Sequence, residues 1–436
     1  MLNVASVFSR LGNPNSLIPL AVKDLSATAG MTAGSFVTGK EEGQDRFIDE
    51  MGTEVIWLMG IPAFKWIFDK TVFKAMGMDA KFDARNLKDK DVFEKIKQYA
   101  PTEKIKENIE KIGAKEKAFK GAAMAKFIVA TTLTIASYIG LTRFKQNYTE
   151  KKIRENLIAE YNQQKEAQKK NEAKKVQTVN PTFKGLGSTL QSFAFSPVKN
   201  MWILDSAITA ERLKDSRSPQ EFIGYGIKEA STLLFMYYAG GKIQELLEKQ
   251  ASKQGKSIAL DARVLENGFL KKAFEDGSIL ASLEEFKAIS GSNVDLYEFL
   301  HKNPNNLVVE TAKMSDVIEM YKEPQGLFKR AKVTDKIDTR KYIDIDGVKS
   351  IGAKLEELYS NYKTALSKGE SSEKFFESVK TLKRKSIITN IGTCILALGV
   401  VTPAIMLAKR LAGKDDAEFQ TKKEIREKLI NEGLIA

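Results

Sequence analysis

Ser386 to Ala408, SIITNIGTCILALGVVTPAIMLA, is a run of 23 residues without one charge, closed by Lys383-Arg384-Lys385 before it and Lys409-Arg410 after it. At about 1.5 Å of rise per residue, such a helix crosses a hydrocarbon core of roughly 30 Å. Inside a bilayer only helices and closed barrels satisfy their own backbone, so a chain built around this segment is constrained to helix there. The expected fold is all-α and membrane-embedded.

Three weaker apolar windows precede it. Phe127 to Thr142 is 16 uncharged residues between Lys126 and Arg143, extended by the Ala122 to Ala125 turn. Its flanking cations can snorkel, so it is expected as a second span. Val55 to Phe64 and Ala230 to Gly241 are shorter, at ten and twelve uncharged residues. The apolar helices are therefore placed at about 54–75, 122–142, 220–243 and 386–408. A mean hydropathy of -0.28 conceals this segregation, because most of the 29% charged residues lie outside the four windows.

Three short matches recur in order along the chain. Phe47-Ile48 followed by Glu54 corresponds to Phe222-Ile223 followed by Glu229. Asp83-Ala84-Arg85 corresponds to Asp261-Ala262-Arg263, and Ile153-Arg154-Glu155-Asn156-Leu157-Ile158 corresponds to Ile425-Arg426-Glu427-Lys428-Leu429-Ile430. The expectation is a tandem duplication of a two-helix membrane unit. The first repeat covers 1–161, a polar linker 162–182 and the second repeat 183–436, with an extramembrane insertion at about 270–370. Two spans per copy would give parallel repeats and one would give inverted repeats. Lys and Arg are too evenly divided between the two sides to fix an orientation.

Elsewhere the chain reads as amphipathic helix. Val92, Phe93, Ile96 and Tyr99, then Ile105, Ile109 and Ile112, recur at helical spacing on either side of Pro101, with Thr102 near the second helix start. A strand pair is expected near Lys341 to Ile351. Met1 to about Gly43 reads as loops with one short helix. Arg10 comes late and Leu17 to Val22 is too short for a signal peptide, so the internal helices are expected to direct membrane insertion.

Composition narrows the chemistry. With one Cys (Cys394) and one His (His301), the chain offers no disulfide framework, zinc cluster or Cys-His pair. His301 is expected to cap a helix end. The net charge of +13 comes from interspersed lysines, with 13 Arg among 69 basic residues, which argues against a nucleic-acid surface. Asp344-Ile345-Asp346-Gly347 resembles the centre of a calcium loop but lacks its first and twelfth acidic ligands. Lys184-Gly185-Leu186-Gly187-Ser188 lacks the partners of a phosphate loop. No catalytic, cofactor or metal residue is assigned, and no enzyme is expected.

The candidate site residues are Glu54 and Glu229, matched carboxylates at the edges of apolar runs, where a proton relay, a cation site or a pairing with Lys65 or Lys228 competes with helix-dipole placement. Ala136, Ser137 and Gly140, with Gly392, Thr393, Gly399 and Thr402, are small residues suited to close helix packing, and Pro62 and Pro403 are potential kinks. The expected function is a non-enzymatic membrane anchor or scaffold, its partners the lipid bilayer and a protein partner or second copy. The alternatives are a small transporter or channel built from two repeats, and a soluble helical interaction protein.

Overall fold

The computed structural model describes residues 4–13, 16–38, 40–165, 196–214, 216, 219–325, 331–411 and 417–435. Most of the expected linker at 162–182 lies outside them, as do Gly185 and Gly187. Of the described residues 81% are helical, which bears out the all-α expectation. The helices are α1 (Val4–Gly12), α2 (Leu17–Thr38), α3 (Lys40–Phe68), α4 (Lys90–Gln98), α5 (Glu103–Ala114) and α6 (Glu116–Lys165). Then come α7 (Pro197–Lys214), α8 (Pro219–Leu233), α9 (Ala262–Glu266), α10 (Phe269–Glu275), α11 (Ser278–Ile289), α12 (Asn293–Lys302) and α13 (Leu307–Met314). A hairpin of β1 (Met320–Glu323) and β2 (Lys332–Ile337) leads to α14 (Ile345–Ser367), α15 (Ser372–Leu396) and α16 (Ala417–Asn431). Helix α3 continues through a π-helical turn (Asp69–Phe73) to Met76, α8 through Leu234–Ala239 to Lys253, and α15 through Ala397–Val401 to Leu411.

Two compact units result. One is assembled from Met1–Pro19, Trp66–Lys126 and Gly241–Ile391, the other from Leu20–Lys65, Phe127–Gly240 and Gly392–Ala436.

The first unit is a polar helical body. Its apolar residues at helical spacing turn inward, so Ile96, Ile105, Ile109 and Ile112 are buried and Phe73, Phe82 and Phe119 meet edge to face. Thr102 caps α5 by accepting from Ile105 N, and Pro101 sits between the two helices, as the sequence predicts. Asp83 accepts from Arg85 N at 2.9 Å and Asp261 from Arg263 N at 2.8 Å, each with its Arg side chain folded back on the Asp. Asp338 and Arg340 form a third such turn, which the sequence comparison missed because Thr339 stands where the others have Ala. Each is also a tertiary tie: Ser9 donates to Asp261, Arg263 reaches Asp316, and Arg340 reaches Asp79. The expected strand pair at Lys341 to Ile351 is displaced. Ile345 onward is helix α14, with Val348, Ile351, Leu355 and Leu358 buried, and the antiparallel strands lie earlier. Helical burial of that apolar stripe outweighs the local alternation that suggested a strand.

The second unit is a helix bundle. The opening region is more ordered than its composition suggested, since α2 is a 22-residue helix. Its glycines replace loop freedom with close packing. A Cβ built on Gly30 would stand 2.1 Å from the Gly399 carbonyl oxygen, and one on Gly399 would stand 2.9 Å from the Ser26 carbonyl oxygen. Only Gly permits this approach. Pro403 lacks the N–H that would serve the Gly399 carbonyl four residues back, and the π turn Ala397–Val401 accommodates that loss, with Thr402 Oγ1 donating to Ala397 O at 2.9 Å. Gly140 and Gly392, expected to serve the same purpose, have open space where a Cβ would go. The repeated Ile-Arg-Glu-x-Leu-Ile segments pack on one another: Ile153, Leu157 and Tyr161 of α6 share a cluster with Ile425 and Leu429 of α16 and with Ile435. Arg154 is paired with Glu432 at its margin.

His301 does not cap α12. Asn303 does so, through its N–H and its side-chain amide to the Phe299 carbonyl. The imidazole instead stacks on Tyr99 at 4.4 Å, and its buried Nε2 has no hydrogen-bond partner. Burial, aided by Lys313, lowers its pKa to about 4. The unfolded chain binds this proton near its ordinary value of about 6.5, so the neutral ring stabilises the fold above that pH and the contribution falls as pH drops toward 4. Between pH 7 and 4, wild type is expected to lose about 3 kcal/mol more stability than His301→Gln, read as unfolding midpoints in parallel pH series.

Candidate functional site

One face of α3 carries Asp45, Arg46, Asp49, Glu50, Thr53 and Glu54, spaced three and four apart so that they form a single polar stripe. Phe47, on another face, is half exposed, while Asp49, Glu50 and Glu54 are buried. The stripe faces polar groups on α2, α6, α7 and α8, all within the bundle unit, and its side chains sort into two halves.

The first half is centred on Arg212 of α7, which is 5% exposed. Its Nε donates to the Tyr138 hydroxyl at 2.6 Å, one terminal nitrogen donates to Glu229, and the other reaches Asp49 at 3.4 Å and Thr53 Oγ1 at 3.2 Å. The guanidinium also lies 5.5 Å from the centre of the Tyr138 ring. Lys228 of α8 spans both oxygens of Glu50 at 2.8 and 2.7 Å and sits 3.3 Å from Glu229. Lys145 of α6 lies 3.6 Å from Asp49 and 3.9 Å from Asp45, whose carboxylate also accepts from Thr149. Arg46 reaches back along its own helix to Glu50 at 3.4 Å. Four cations, Arg46, Lys145, Arg212 and Lys228, thus meet four carboxylates, Asp45, Asp49, Glu50 and Glu229. Burying so many ions is tolerable only when their charges balance and their hydrogen bonds are made.

The second half is not balanced. Glu54 accepts from Thr28 Oγ1 of α2 at 3.1 Å, and the Asp24 carboxyl lies within hydrogen-bond reach of the Glu54 carboxyl. Asp205 of α7 accepts from Tyr237, which the π turn Leu234–Ala239 carries, and is electrostatically coupled to Asp24. The same turn presents the Phe235 carbonyl to Lys23 Nζ at 3.4 Å. Three carboxyls, those of Asp24, Glu54 and Asp205, thus lie together with no cation ion-paired to any of them among the described residues.

Both carboxylates singled out from the sequence are in this network, but in different roles: Glu229 is ion-paired in the balanced half and Glu54 sits in the acid-rich half. Of the partners considered for them, Lys228 meets Glu229 and Glu50. The sequence reading passed over Asp24, Asp49, Glu50, Lys145, Asp205 and Arg212. Signals for some were present. Lys23 and Asp24 are the only charges from residue 11 to 39, Asp205 is the only one from 201 to 210, and the α3 acids fall on a helical stripe. Cys394 is fully buried, as expected of a small hydrophobe, and also contacts Lys23. Among the described residues no group of three or more His, Cys, Asp or Glu side chains is arranged to hold a metal ion.

Comparison with known proteins does not name the site. No family model matches the chain, and neither does any curated protein or solved structure.

Glu229→Ala leaves Arg212 and Lys228 without one of their buried counter-charges. It is expected to destabilise the protein by roughly 3–5 kcal/mol, whereas Glu285→Ala, in the polar unit, should cost under about 1 kcal/mol. Thermal unfolding of the purified variants in detergent measures the difference.

Proposed function

We propose that this chain is a helical membrane protein that acts without covalent chemistry, anchoring its polar helical unit at a bilayer. The observation that carries the reading is an inversion of the usual segregation. Two helical stretches, Glu116–Ala159 and Ser372–Lys409, are long and apolar enough to cross a membrane, yet only 28% and 33% of their most apolar windows are buried. Val55, Met59, Leu133, Leu396, Val400 and Ile405 stand exposed on the bundle unit while its ions are packed inside. Water would reward the opposite arrangement, and hydrocarbon rewards this one. The same inversion counts against a soluble interaction protein, whose apolar helices would form its core.

The duplication belongs to this reading. Phe47 and Phe222 are both half exposed, and Glu54 and Glu229 are both buried in one network. Asp83 and Asp261 cap their helices in the same way, and the repeated Ile-Arg-Glu-x-Leu-Ile segments pack together. Each compact unit draws segments from both sequence halves, which is what fused copies do when like packs with like.

A second reading, a small carrier, is favoured by one observation: the Asp24 and Glu54 carboxyls meet inside the bundle where the balanced ion pairs end. Intramembrane carboxyls of this kind mark proton and ion pathways.

The protein is expected to remain in the membrane pellet after alkaline carbonate extraction, and recovery in the supernatant would refute the membrane reading. If the carrier reading holds, a pH gradient drives flux in proteoliposomes, and Glu54→Gln and Glu229→Gln abolish it. Flux unchanged in both variants would leave the anchor alone.

A further inference from the structure

We infer that Asp24 and Glu54 form a binding site for one shared proton, held between α2 and α3 inside the bundle unit. Glu54 is 4% exposed, so water does not solvate it. One of its oxygens accepts from Thr28, but Oε2 is buried and receives no hydrogen bond from any N–H or hydroxyl among the described residues. What reaches this carboxyl is a second carboxyl, that of Asp24. Two ionised carboxylates repel at this range and cannot hydrogen-bond to each other. A proton between them removes one charge and supplies the missing donor.

The surroundings set the occupancy at neutral pH. On α3 itself the nearest charge is Glu50, which Lys228 already neutralises. Lys23, next to Asp24 on α2, is directed to the Phe235 carbonyl. From α8 come Lys228 and Glu229, which are committed to Glu50 and Arg212, and from α7 comes Asp205, a further acid held by Tyr237. Among the described residues no cation is ion-paired with Asp24 or Glu54: Lys228 is held by Glu50, and Lys23, though charged, is turned to a backbone carbonyl. Two carboxyls also fall short of the six to eight oxygens a calcium ion takes. The ligand this geometry fits is therefore a proton. The inference goes beyond anchoring, and it does not depend on flux: the proton can be present whether or not it moves across a membrane.

Infrared difference spectra of the full chain in lipid at neutral pH test it, subtracting Glu54→Gln from wild type and, separately, Asp24→Asn from wild type. Either amide supplies its own N–H donor to the remaining carboxylate, so each variant releases the proton. Subtraction cancels the carboxyls that the proteins share, Asp205 included. One protonated-carboxyl C=O band, shifted in deuterium oxide, is expected in both differences. In Thr28→Val the band should persist but move in frequency, because Glu54 loses that hydroxyl donor while the pair remains. This variant reads the site even if an amide variant fails to fold. Absence of the band from either difference, or a band indifferent to Thr28→Val, overturns the proposal.

Discussion

The bundle unit depends on Arg212. A guanidinium is always charged, and burying it obliges the fold to supply acceptors in matching directions. Tyr138, Glu229, Asp49 and Thr53 do so from three other helices. Each of those carboxylates in turn recruits a cation, Lys228 for Glu229 and Lys145 for Asp49. A network of this kind defines helix register more sharply than apolar contact can, because a helix that slides by one turn separates charges as well as surfaces. It specifies the arrangement at some expense in stability, since apolar replacements of buried ion pairs are often as stable or more so.

Close backbone packing supplies the complementary constraint. Gly30 and Gly399 bring α2 against the helical stretch that continues α15, at a point where Pro403 has already weakened the helix's own ladder. Polar pairs and small residues are what apolar solvent leaves available for holding helices together. The outward-facing Val, Leu and Met side chains take no part in that association. Their place on the outside is intelligible if lipid, not water, surrounds them. In the polar unit the ordinary order returns, with isoleucines and phenylalanines inside and Lys-Glu pairs such as Lys287–Glu356 on the surface.

The acid-rich half of the network separates a purely structural cluster from one able to respond to its surroundings. Balanced pairs have nothing to gain by titrating, whereas a carboxyl pair can exist in two protonation states that differ in the contact between α2 and α3. On the proposal above, pH acts on this bundle in the acid-rich half, where Asp24, Glu54 and Asp205 have no ion-paired cation among the described residues.

Much of this architecture was legible in the residues. Uncharged runs and three- or four-residue spacing identify the long helices, because those patterns report solvent preference and helix period, which are local properties. The Thr102 cap and the buried isoleucines of α5 follow from the same rules. The α2 helix was not legible, since its Gly, Ser and Thr residues disfavour an isolated helix and only close packing, Gly30 and Ser26 against Gly399, makes the small residues useful. Glu54 and Glu229 stood out by their matched positions, but sequence could not distinguish their roles. An ion pair is decided by which helices meet: Arg212 and Lys228 reach Glu229, while Glu54 is left with Thr28 and another acid. The chain's own pattern determined helices and apolar faces. Tertiary structure alone decided which buried charges were balanced, because Coulomb energy depends on distances between residues far apart in sequence.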